Sequence, residues 1–180
     1  EVEIKDFYKN NKLRARILGQ SYRQKFESRS MYNFYTPEDD AVFNLGILHT
    51  GLDADNRRYV PVNKSELLSK EDIHYWALGH IHQFEKINEE PAAYYPGTIQ
   101  GRDINETGEK GALLVEVDQN HKIETEFYSL AAVIFKNIII DLENYQNLNN
   151  LSALERILIE KIEENIKEIE SLNSKIEYQI

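Results

Sequence analysis

Two short runs constrain this chain more than anything else in it. "AVFNLGILH" (41–49) and "IHYWALGHIH" (73–82) are nearly continuous apolar stretches flanked by polar and turn-forming residues. Runs of this length and character read as strands covered on both faces, so the chain needs a sheet with material packed on either side. Both runs end in histidine. His49 closes the first before Thr50 and Gly51, while His80 and His82 close the second after Gly79. If the second strand continues through its end, His80 and His82 lie two positions apart and point to the same face.

The surrounding segments fit a mostly β region. "LRARILGQSY" alternates and breaks at Gly19, as a strand running into a loop does. The polar stretch "TGLDADNRRYVPVN" carries Pro61 as a breaker, and "NKSELLSK" offers Asn63 as a cap with Glu66 three residues on, which predicts a short helix. "ALLVEV" and "KIETEFYSL" flank the turn "DQNHK" and predict a hairpin. Between them and the second apolar run, "EKINEEPAAYYPGTIQGRDINETGEKG" reads as one long connection, a length that in a compact domain tends to be functional or mobile.

The pattern changes after residue 134. "FKNIIIDLE" predicts a strand and "NYQNLNN" a loop. Leu151, Leu154, Leu158, Ile162, Ile166, Ile169, Leu172 and Ile176 then recur at steps of three and four, one apolar stripe on a long charged helix. Ser152 with Glu155 is the expected cap of its start. The stripe suits packing on a small sheet of its own, the expected reading, or a partner helix in a coiled coil. The division expected is 1–134 and 135–180. The start without Met and the end "SKIEYQI", which reads as a strand just beginning, suggest a piece of a longer protein.

Composition narrows the chemistry. With 180 residues, 41% of them hydrophobic, the chain can bury a core. It has no cysteine, so a metal must be held by His, Asp, Glu or Asn. No run approaches the roughly 18 apolar residues of a membrane span, and the expected location is the cytoplasm, with no membrane partner. A net charge of −10 argues against indiscriminate binding to nucleic acid. Residues 9–29 nevertheless hold Lys9, Lys12, Arg14, Arg16, Arg23, Lys25 and Arg29 against the single acid Glu27, either a local basic surface or an ordinary solvated strand face.

Taken alone, H-x-H is a weak metal signal, and His49 reads equally well as a core histidine satisfied by hydrogen bonds. Two strands delivering histidines at their ends is a stronger pattern, because neutral imidazoles converging on a small volume are what coordination needs. His121 in the hairpin turn reads as surface. Asp72 and His74 form a D-x-H, but one that precedes its strand instead of ending it, so it is not expected to bind metal.

The blocks "LGILHTG", "YWALGHIH" and "YYPGTIQGRDINETGEKGALLVEV", in this order and spacing, resemble the C-terminal half of the nuclease domain of SbcD/YhaO-type DNA repair exonucleases, a branch of the calcineurin-like metallophosphoesterases. The likeness spans roughly residues 13–130, and the segment from 135 is similar in pattern to the start of that family's capping domain. It implies an α/β fold: a partial metallophosphoesterase β-sandwich flanked by helices, followed by part of a small α/β capping domain. It also implies two divalent metals, usually manganese, with His49 and His80 on one ion and His82 on its neighbour. Two such ions clamp a phosphodiester and lower the pKa of an attacking water.

The same resemblance implies DNA and an SbcC-like SMC-type ATPase as partners, and is compatible with a homodimer. Arg102 and the backbone of Gly97 and Gly101 are then candidates to meet phosphate. The family's G-D-x-x-D and G-N-H-[DE] blocks are absent from the sequence. Three histidines without a bridging carboxylate do not complete a two-metal site. The polypeptide alone is therefore expected to be a poor catalyst or none, and no residue of it is assigned a catalytic role. A phosphodiesterase of the same superfamily acting on small nucleotides, and a non-catalytic module that docks a partner through its long helix, are the competing readings.

Overall fold

The structure, a computed structural model, describes residues 2–22, 27–37, 42–53, 60–145 and 150–173. The chain divides into two compact units, Glu1–Phe135 and Lys136–Ile180.

The first unit is built on β1 (Glu3–Lys9), β2 (Lys12–Gly19), β3 (Phe43–His49), helix α1 (Lys64–Leu68), β4 (Tyr75–Gly79), β5 (Glu85–Asn88), β6 (Ala92–Tyr95), β7 (Gly111–Val117) and β8 (Ile123–Ser129). Six strands form one sheet in the order β1-β2-β3-β4-β6-β5, and β7 pairs with β8 in a separate hairpin. Strands β2, β3, β4 and β6 run parallel, while β1 and β5 are antiparallel edges.

Alternation along β3 and β4 sorts side chains onto two faces. One carries Leu48, Trp76, Leu78, Ala93 and Tyr95, and packs with Met31, Tyr35, Val60, Val62, Leu67 and Ile73. The other carries Phe43, Tyr75, Ala92 and Tyr94, against which the β7–β8 hairpin lays Leu113, Val115 and Ile123. At the core of the first face Trp76 lies over Gly46, where a Cβ would stand 2.5 Å from the indole. No side chain other than hydrogen fits there.

Several expectations need correction. The β3 run is covered on both faces only near its start: Leu45 is half-buried, but Ile47 is 49% exposed and His49 is exposed, because the hairpin packs beside Phe43 and Leu45 and leaves the histidine end open. The connection from Glu85 to Gly111 is shorter than it reads, since β5 and β6 form a hairpin within it and β6 lies fully buried between β4 and β5. β1 joins β2 through Asn10 and Asn11, both at positive φ (54° and 58°), the backbone that a two-residue hairpin turn demands. The predicted helix is α1, and Asn63 caps it by accepting from the amides of Ser65 and Glu66.

The run "FKNIIIDLE", all but its first residue in the second unit, does not form a strand. Residues 136–141 are irregular and lead into a 3-10 turn at Leu142–Asn144. A strand needs a neighbour to complete its ladder, and the described residues of this unit supply none. The second expected strand, at 174–180, lies outside the described residues. Helix α2 (Leu151–Asn173) forms as predicted, with Leu158, Ile162 and Ile166 of its stripe between 38% and 48% exposed. Its cap is Asn150, whose side chain accepts from the amide of Ala153 at 2.9 Å, and not Ser152, which already stands inside the helix. Among the described residues no helix is long and apolar enough to cross a membrane.

Candidate metal centre

The parallel strands β2, β3 and β4 end together, and their ends carry the chemistry. β3 and β4 are in register with His49 opposite Gly79. The missing side chain at Gly79 makes room for the His49 ring, since a Cβ there would lie 3.0 Å from its Nδ1. The backbone past His49 is tied down: Thr50 is fully buried, its amide donates to the Gly79 carbonyl at 3.1 Å, its hydroxyl donates to the Val60 carbonyl at 2.7 Å, and its own carbonyl accepts from the Tyr95 hydroxyl at 2.8 Å. The Tyr22 hydroxyl donates to the His49 carbonyl, and the Tyr22 ring stands edge-on to the imidazole with centroids 5.5 Å apart. Tyr22 also lines a cavity of about 490 Å³ at the end of β2, beside Gln20, Ser21 and Lys5.

β4 stops at Gly79, so the strand does not continue through its end and alternation does not place His80 and His82 on one face. His80 has φ of 106° and turns the chain out of the sheet. That turn brings its ring against His49, with centroids 5.3 Å apart and planes at 77°. His82 goes elsewhere: its Nδ1 is 2.7 Å from Glu106 Oε1. The three remain electrostatically coupled. Partial desolvation, followed by the charges of His80 and His82, lowers the His49 pKa below its ordinary 6.5, so the neutral, ligating form of the ring is favoured at neutral pH.

The donor chemistry of these imidazoles suits a divalent metal that accepts nitrogen. The count falls short of a closed site. Among the described residues no group of three or more His, Cys, Asp or Glu stands together in a way that could hold a metal ion. What the structure assembles is a pair, His49 and His80, with His82 close enough to be felt and separately anchored.

The loop after β6 was expected to offer Gly97, Gly101 and Arg102. Arg102 is exposed. Gly97 (φ 79°) and Gly101 owe their lack of side chain to this chain's own backbone: a Cβ at Gly97 would lie 3.0 Å from the His82 carbonyl oxygen, and one at Gly101 3.0 Å from that of Glu106. Of the basic stretch 9–29, Arg16 pairs with Asp6 at 3.1 Å and Arg29 with Glu27 at 2.6 Å. Arg23 and Lys25 lie outside the described residues.

His74 and His121 sit at the opposite end of the strands. Their rings lie 4.7 Å apart, both against Phe43, and His74 Nδ1 accepts from the Asn44 amide at 2.9 Å, which occupies the lone pair a metal would need. His121 is therefore half-buried and packed, not the loose surface residue its turn suggested.

Sequence reasoning passed over Glu106. Its carboxylate accepts from the His82 ring and from the Arg102 amide, at 3.0 Å, and these hydrogen bonds, the ring's first, hold its pKa below the ordinary 4.5. The signal available was one of residue type only, an acid inside "GRDINETGEKG". Its separation from His82 by 24 positions hides the pairing.

No family model matches the chain. It is similar to the uncharacterized metallophosphoesterase YhaO of Bacillus subtilis (strain 168), 36% identical over 152 residues, a match that covers 83% of this chain and 37% of the relative. The chain thus spans little more than a third of that relative's length. A mixed α/β architecture with a central multi-stranded sheet and few helices is consistent with a partial metallophosphoesterase fold, and the likeness supports the metallophosphoesterase superfamily for this chain.

Proposed function

We propose that this chain supplies one wall of a metal-dependent phosphoester hydrolase, and that the substrate is the phosphodiester backbone of DNA, as in repair exonucleases that work with an SbcC-like SMC-type ATPase. The observation that carries the reading is the meeting of His49 and His80 at the ends of two adjacent parallel strands. His49 and His80 would hold one divalent ion, manganese by preference, and His82 a second. Such ions supply charge neutralisation at the phosphate and a water of lowered pKa.

The chain's own contribution is position. The Thr50, Tyr95 and Tyr22 hydrogen bonds fix the end of β3, and burial of Leu48, Leu78 and Trp76 fixes both strands beneath it. The exposed guanidinium of Arg102 suits a phosphate oxygen pair. Binding by the remaining basic residues of 9–29 would weaken steeply with salt. Bridging carboxylate donors must come from outside the described residues, and the chain alone turns over slowly if at all.

The test is manganese binding by calorimetry, followed by manganese-dependent hydrolysis of a nitrophenyl phosphodiester and of linear DNA, by the chain within its natural full-length protein and by its His49→Ala and His80→Ala variants. The reading expects both activities, each lost by more than about tenfold in either variant. Hydrolysis of the small diester without DNA cleavage would favour the small-nucleotide phosphodiesterase. Failure to take up metal would leave the partner-docking module.

A further inference from the structure

The block "GRDINETGEKG" brings two charged side chains onto His82 that the proposed function leaves unused. Glu106 arrives on a turn built by Asp103, whose carbonyl accepts from the Glu106 amide at 3.1 Å and whose carboxylate accepts from the Asn105 amide at 2.8 Å. The loop is braced on either side. The Gln100 side chain exchanges hydrogen bonds with the main chain of Val133 at 2.7 and 3.2 Å, and the Gly108 amide donates to the Phe135 carbonyl at 2.9 Å. Both Glu106 oxygens are engaged, one by His82 Nδ1 and the other by the Arg102 amide. Lys110, 3% exposed, donates from Nζ to the His82 carbonyl at 3.1 Å and to Gln83 Oε1 at 2.8 Å. One loop therefore holds both the ring and the main chain of His82.

From this arrangement we infer that Glu106 is a positioning residue that locks His82 in the Nδ1–H tautomer, leaving Nε2 as the ring's only lone pair. An ionised carboxylate can only accept, so the nitrogen facing it must carry the proton. The opposite tautomer would set a lone pair against the carboxylate, and a flipped ring would lose the bond altogether. A metal-binding histidine needs one nitrogen deprotonated and the other fixed by a hydrogen bond, and Glu106 supplies that second condition. The Arg102 amide shares the same carboxylate, so the loop carrying the exposed guanidinium is held in register with His82. The inference rests on the proposed site for its use, but its geometry involves neither metal nor substrate.

The experiment is long-range ¹H–¹⁵N correlation spectroscopy on the full chain labelled in histidine, stripped of metal with chelator and held at mildly alkaline pH. His82 is assigned by the signal missing from His82→Asn. The expected result is Nδ1 of His82 in the protonated range and Nε2 in the unprotonated range. Glu106→Ala should shift the ring toward the Nε2–H form. A wild-type His82 already in the Nε2–H form, or one unmoved in Glu106→Ala with an otherwise native amide spectrum, overturns the inference. If Glu106→Ala does not fold, the wild-type tautomer alone decides. Because the readout needs neither metal nor turnover, failure of the hydrolase reading and failure of the tautomer lock are told apart.

Discussion

His80 departs from the sheet at φ of 106°, a conformation that residues with a side chain rarely adopt. Holding it costs on the order of 1–3 kcal/mol, sustained by the burial of Trp76 and Leu78 in the strand just before it. Strain of that kind persists where the side chain's position matters, and here it turns the imidazole onto His49. The residue-scale expectation compares two truncations. Removing the ring as His80→Ala keeps the backbone strain, whereas His80→Gly removes both, so the glycine variant should be the more stable by about 1 kcal/mol in urea unfolding, despite the greater freedom glycine gives the unfolded chain. Equal stabilities, or a more stable alanine variant, would mean that the backbone at 80 is not strained. The histidines were legible in the sequence as strand-end residues, but the way they meet was not. The meeting depends on where β4 stops, and a Gly-His junction in an apolar run does not reveal that the following residue leaves the sheet.

At the scale of elements, what could be read was whatever had a local cause. β3 and β4 declare themselves by apolar runs, α1 by Asn63 and Glu66, and the β7–β8 hairpin by alternation on either side of a turn in which Asp118 accepts from the amides of Asn120 and Lys122. β6 was hidden because it is only "AAYY" between Pro91 and Pro96, too short to show a period. Its identity as a central strand comes from lying between β4 and β5. β1 was hidden for the opposite reason: as an exposed edge it has no buried face to mark it. The start of α2 offers a clean discrimination between two caps. Asn150 accepts from the Ala153 amide, so Asn150→Ala should destabilise the first turn by about 1 kcal/mol, while Ser152→Ala, inside the helix, should be neutral or slightly favourable. Thermal melting followed by the helical circular-dichroism signal checks this, and a larger loss from Ser152→Ala would reverse the assignment.

For the molecule as a whole, the buried tyrosines join core stability to the site. Burial raises the phenols of Tyr35, Tyr75 and Tyr95 to about 12 from an ordinary 10.0. The unfolded chain releases these protons near pH 10, whereas the folded chain retains them to about 12. Their contribution to stability is therefore complete below pH 10 and is lost as pH rises from there through 12. Two of these hydroxyls also position the end of β3: Tyr35 donates to the Ile47 carbonyl at 2.7 Å and Tyr95 to the Thr50 carbonyl at 2.8 Å. Ionising either one removes a donor from the strand that carries His49. The tyrosinate absorbance of these three should accordingly appear in one late stage, only as the sheet unfolds, with the histidine cluster lost in that same stage. Replacing Tyr95 by Phe should remove part of that stage and loosen His49 at neutral pH, seen as broadening of its ring resonances, without exposing Trp76 to quenchers. Ionisation of all three phenols with the circular-dichroism spectrum intact would show that the core beneath the site is open to solvent, contrary to the burial of Tyr35 and Tyr95 at 0% and 1% exposure.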